Sequence, residues 1–158
     1  MLDNLIIDRT INDYLRFIEL RDKGVKNMTA SELEEWQTNL KGAYNISDIN
    51  RVSEVLNYLR DRLVETGYMT GKEFSMRTDW KETEIPVAED LTNYLKAVET
   101  VRNAMSYKRT TPATPNNIGA LDYQGANNIE LIMIDIEELI NNMQQARHYV
   151  GELYSGEI

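Results

Sequence analysis

The sequence predicts an all-α protein: an antiparallel helical bundle of four main helices plus one short helix. Apolar residues recur at steps of three and four along most of the chain. Each periodic run is opened by a capping residue and closed by Gly or Pro. The last run carries the widest apolar face. The stretch Ile129, Ile132, Ile136, Leu139, Met143, Ala146 and Val150 holds the +3, +4 step for three heptads, with Met133 and Ile140 as a second row. A face that wide touches neighbours on two sides.

The first helix is expected over about 10–23, with Ile11, Tyr14 and Ile18 on one face, Thr10 as N-cap, Asp13 in the first turn and Gly24 at the end. Thr29-Ala30-Ser31-Glu32 is a capping box. It opens a short helix over about 30–40 that presents Leu33, Trp36 and Leu40, and Gly42 closes it. Ser47 is the expected cap of a third helix over about 48–66, with Ile49, Val52, Leu56, Leu59 and Leu63 in register and Gly67 in a Schellman-type ending. Residues 68–85 lose the period and read as a short strand or irregular loop. Pro86 fits the first turn of a fourth helix over about 86–107. The Pro- and Gly-bearing stretch 110–125 reads as a loop or crossover pinned by Ile118, Leu121 and Tyr123. The fifth helix spans about 123–150. Residues 151–158, with two glycines, read as an extended or mobile tail of the single domain 1–158.

Composition bounds function. The chain has 158 residues, no Cys, one His and a formal charge of −9. Without Cys there are no disulfides, thiolate metal sites or Cys nucleophiles. The charge opposes nucleic-acid binding and docking on anionic membranes. No apolar run approaches the ~18 residues of a membrane span. Residues 1–9 contain Asp3 and Asp8 and no basic n-region, so no signal peptide is expected. Residues 122–158 hold seven acids and one base, Arg147. That is a solvated helix face or an electrostatic docking surface for a basic partner.

Motifs for chemistry are few. Gly67 to Glu73 has three residues between its glycines and Glu after Lys72, so it does not fit a phosphate loop. His148 has no nucleophile elbow elsewhere in the chain to serve, and a His in a last turn meets the helix dipole. Asp135 and Glu138, one turn apart, are expected to face solvent. No E-x-x-H pair or acidic Ca²⁺ loop accompanies them. The N-x-[ST] sequences at Asn27 and Asn45 precede expected caps. No catalytic residue, cofactor, metal or small-molecule substrate is expected. The expected partner surface is Tyr68, Phe74, Met76 and Trp80, because a loop that only connects helices has no need of so many large apolar residues. Asp135 and Glu138 are the candidate acidic contacts.

Several stretches carry a resemblance: Ile7-Asp8-Arg9-Thr10; Asn27-Met28-Thr29-Ala30 with Glu32 and Trp36; Leu40 to Asn45 followed by Asp48 and Asn50-Arg51-Val52; Thr78-Asp79-Trp80; Ala126 to Glu130; and Tyr154-Ser155-Gly156. Together they resemble a family of small uncharacterised phage and prophage proteins of Firmicutes associated with virion structural and tail genes. Most of the chain is covered. The family's first motif usually reads Ile-Thr-Asp-Arg, whereas here Ile7 directly precedes Asp8, a change at the first cap. The resemblance implies a non-enzymatic tail-associated part in the virion, or in the host cytoplasm before assembly. Its partners would be other phage structural proteins or further copies of itself. The alternative is a soluble acidic adaptor or inhibitor that binds a basic host or phage protein.

Overall fold

The computed structural model describes residues 2–38 and 40–155, with side chains described to residue 151. Among them there are five α-helices and no strand. They are α1 (Ile11–Lys23), α2 (Ala30–Gln37), α3 (Ile46–Glu65), α4 (Ala88–Asn103) and α5 (Tyr123–Ser155). The all-helical bundle is therefore the fold, with α2 as the short helix.

Local signals place most of the ends. Thr10 and Asp13 form a reciprocal capping box, as do Thr29 and Glu32. Gly24 and Gly67 take positive φ values of 75° and 82° just past α1 and α3, the region glycine enters without a Cβ penalty. At Gly67 the ending is a full Schellman pair: Tyr68 N–H donates to the Leu63 carbonyl and Gly67 N–H to that of Val64. Some boundaries differ from expectation. The cap of α3 is Asn45, not Ser47; its side chain accepts from the N–H groups of Ser47 and Asp48. Asn45 wins because Asp48 answers it from the N3 position. Pro86 lies before α4, where the Val87 N–H donates to Asp90. Helix α5 continues through Gly151 to Ser155, so the expected tail is helical in that part. Residues 156–158 lie outside the described residues.

Contacts fix the directions of the helices. Helices α1 and α2 are an antiparallel hairpin: Arg16 pairs with Glu35, Lys23 with Glu32, and Phe17 stacks on Trp36 at 6.0 Å. Helices α3 and α5 instead run the same way. Arg51 meets Glu130, Tyr58 meets Glu137 and Arg62 meets Asn141, each pair seventy-nine residues apart. Helix α4 runs with them. Its Tyr94 bonds Tyr44 beside the start of α3, and Lys108, past its end, reaches Glu138. The expected antiparallel arrangement thus belongs to the α1–α2 hairpin. The three core helices are parallel because residues 66–87 and 104–122 are long enough to carry the chain back. The first return places Phe74 on Arg60, Met76 on Asn57 and Trp80 on Asn50. The second places Pro112 on Arg102 and Thr114 on Glu99.

Between the three helices lies one core. Val52, Leu56, Leu59 and Leu63 of α3, Val98 and Val101 of α4, and Ile129, Ile132, Met133, Ile136 and Ile140 of α5 are fully buried. Each such side chain contributes roughly 1.5–3 kcal/mol relative to exposure.

Candidate docking site

A buried charge cluster holds the amino end of the bundle. Arg9, ahead of α1, bonds Asp48 at 3.0 Å and Glu130 at 2.7 Å, and Arg51 bonds the same two carboxylates. Glu130 is fully buried and Arg9 and Asp48 nearly so. The four charges sum to zero. Several further bonds tie the cluster to the main chain: Ile6 N–H to Glu130, Arg9 to the carbonyls of Ile6 and Lys41, and Asn45 N–H to Asp48, while the buried Arg51 Nε has no partner among the described residues. Arg9 also lies over the Tyr44 ring, 5.6 Å from its centre. Burial pushes the Tyr44 and Tyr94 hydroxyls well above the usual tyrosine range. This cluster welds the 2–10 segment to α3 and α5.

The expected partner surface lies on the first return segment. Asn50 donates to the Trp80 carbonyl at 2.8 Å and accepts from its N–H at 3.0 Å. Asn57 does the same for Met76, at 2.8 and 2.9 Å. Arg60 donates to the Phe74 carbonyl. Two amides seven residues apart on α3 span about 10 Å, and four extended residues span about 13 Å. The side-chain ladder holds 74–80, which is neither helix nor strand, along α3 without a partner strand. Phe74, Met76, Thr78 and Trp80 alternate with exposed Ser75, Arg77 and Asp79.

Tyr68, Phe74, Met76 and Trp80 are half-buried and pack against the core. Their inner faces are structural, which accounts for part of the apolar content of this segment. Phe74, Met76 and Trp80 also line a cleft of about 370 Å³ that opens toward α4. Ile49, Leu91, Tyr94 and Ala97 complete its apolar floor, and Arg77, Asp90 and Lys96 its mixed-charge rim. Arg77 lies 4.2 Å from the centre of the Trp80 ring while pairing with Asp79 and Glu84. On either side of Pro86, which lines the cleft, Ile85 is 89% exposed and Val87 61%. Tyr68 lies apart, beneath Arg147.

The acidic candidates divide. Glu138 is exposed and takes the Lys108 ammonium. Asp135 does not face solvent: it is buried and accepts the Thr111 hydroxyl at 2.6 Å. The second return segment covers its flank of α5. Glu137 is likewise held by Arg62 and Tyr58. With Glu130 in the buried cluster, much of the acid surplus of α5 neutralises cations from α3 and the segments around it. The Asn50–Asn57 ladder escaped sequence reading, although two amides a heptad apart beside an apolar stripe are its trace.

Among the described residues no three His, Cys, Asp or Glu side chains are grouped as a metal site requires. No helix among them is long and apolar enough to cross a membrane. The chain matches no protein-family model, no curated protein and no solved structure.

Proposed function

We propose that the chain is a non-enzymatic assembly part, of the tail-associated virion kind its sequence resembles, that docks onto larger proteins through the Trp80 cleft. The observation that carries the docking reading is the pairing of Ile85 and Val87 with that cleft. Two large aliphatic side chains are held out in solvent beside an apolar floor that the Asn50–Asn57 ladder keeps in place. A preformed apolar cleft with a mixed-charge rim matches the anatomy of a protein interface. A preorganised site also loses little freedom on binding. The adaptor reading leans on free acidic surface, and the pairing of Glu130, Asp135 and Glu137 inside the fold leaves less of it.

The test is mass spectrometry of gradient-purified phage particles induced from a strain carrying this gene, with cross-linking. Co-purification at fixed stoichiometry, with cross-links near Lys81 or Lys96, supports the proposal. Abundance in the lysate with absence from particles overturns it. Phe74 and Trp80 pack on the core, so the informative variant is Ile85→Glu with Val87→Glu, which leaves packing intact. This variant is expected to fold and to be lost from particles.

A further inference from the structure

One wall of the Trp80 cleft is main chain. Asn57 takes both the N–H and the carbonyl of Met76, Asn50 takes both those of Trp80, and Arg60 takes the carbonyl of Phe74. These three residues are even-numbered. The main-chain groups of the odd-numbered Ser75 and Arg77 make no hydrogen bond among the described residues. Burial alternates in the same register: Ser75 and Arg77 are exposed, while Phe74, Met76 and Trp80 are half-buried. Period two in both respects belongs to strand-like backbone, in which successive residues turn their N–H and C=O to opposite sides. One edge of 74–80 is therefore satisfied by α3, and the other is unpaired.

The unpaired edge borders the cleft, because Ser75 and Arg77 both line it. Across from them Asn93 and Thr100 of α4 line the opposite wall. They lie one heptad apart, the spacing at which Asn50 and Asn57 of α3 hold the first edge. The Asn93 side chain has no hydrogen-bond partner among the described residues. Leu91, Tyr94 and Ala97 of the same helix give the cleft its apolar floor.

We propose that the cleft takes an extended segment of the partner protein, which adds to the free edge of 74–80 as a strand. This rests on the docking reading above and names what docks. An extended main chain offers a donor and an acceptor together at every second residue, about 6.6 Å apart, as this edge requires. A helix uses those groups internally. The far edge of the added segment comes within the province of Asn93, as 74–80 comes within that of Asn50 and Asn57. Alternate side chains of the segment fall on the apolar floor, so it carries an apolar residue at every second position. The main chain supplies affinity and the floor supplies sequence preference.

A displayed library of random peptides, selected on the purified full chain, tests this. It needs no phage particle, so it can fail while the virion reading stands, and the reverse. Enriched peptides are expected to carry apolar residues at alternate positions. N-methylation of alternate amides in an enriched peptide is expected to weaken binding about tenfold or more in one register and little in the other. No enrichment, helical spacing, or equal effects in both registers overturn the proposal. On the protein side, Arg77→Pro removes the edge donor, which the fold does not use, and proline is tolerated on a free edge. Arg77→Ala loses the same side chain and keeps the donor. Arg77→Pro is expected to bind an enriched peptide about tenfold more weakly than Arg77→Ala, with unchanged far-ultraviolet circular dichroism. Equal affinities overturn the proposal. If Arg77→Pro does not fold, the N-methylated peptides decide alone. Sedimentation equilibrium of the full chain checks the other occupant: a dimer that Arg77→Pro dissolves and Arg77→Ala does not would make a second copy the added strand and overturn the proposal.

Discussion

Asn50 meets the main chain of Trp80 at both its N–H and its carbonyl, as the neighbouring strand of a sheet would. Asn57 repeats the arrangement at Met76 one heptad later. A side chain on a helix thereby does the work of a strand edge. The cleft beside α4 keeps its shape because of it.

Replacing Asn50 by Ala leaves two partly buried main-chain groups without their partner. The expected loss is about 1–2 kcal/mol in urea unfolding. Hydrogen exchange at the Trp80 amide should rise with it, while amides in the middle of α3 stay protected up to the reduced global stability. Unchanged exchange at Trp80 would mean that water replaces the ladder at no cost.

The charge cluster makes a larger prediction. Glu130→Ala removes the carboxylate shared by Arg9 and Arg51 and strands two guanidinium groups against a single Asp48. Breaking a buried pair from one side costs about 3–5 kcal/mol. Urea titration of this variant against Asp61→Ala, which removes an exposed acid beside Arg60, measures it. Equal midpoints for the two variants would show that the cluster contributes nothing.

Gly42 predicts a steric effect. A Cβ there would run into the Asp13 carbonyl of α1. Gly42→Ala must therefore push α1 away from the loop before α3, at about 1–3 kcal/mol. The shift should also weaken the stacking of Phe17 on Trp36, read as a change in Trp36 fluorescence in a Trp80→Phe background. A crystal structure of Gly42→Ala with α1 unmoved would refute it.

The α1–α2 hairpin should depend on pH. The Lys23 ammonium, joined by the Thr29 main-chain N–H, holds the Glu32 carboxyl at about 2, below its ordinary 4.5. A lowered folded-state value means the stabilisation is complete above the ordinary value and disappears as pH falls toward 2. Trp36 fluorescence should report loosening across that window. Lys23→Ala should move its midpoint upward. A midpoint that ignores Lys23 would assign the transition to other carboxyls.

The parts of the fold that were legible in the sequence are those settled within one turn. Thr10 with Asp13, Thr29 with Glu32, and Gly24 and Gly67 announce their helix ends through residues three or four positions away. The direction of the core helices was not legible, because it rests on pairs such as Tyr58 with Glu137 that lie 79 residues apart. A capped amphipathic helix packs equally well in either sense. Asp135 misled for a related reason. It flanks the Ile132–Ile136 row, and only the second return segment decides whether that flank is wet. Of the partner surface, the residues on 68–80 were legible from their apolar content. Their division between inner packing and an outer cleft was not, since it depends on two Asn side chains of α3.

Parallel packing of α3, α4 and α5 has an electrical consequence. In an antiparallel bundle neighbouring helix dipoles cancel; here three add along one axis. The side chains are sorted against that sum, with Asp48 and Asp90 in the first turns of α3 and α4, and Arg62 and Arg102 in their last turns. The molecule is thus unlike at its two poles. Whatever stacks along it meets an amino pole or a carboxyl pole, so a row of such units has an intrinsic direction.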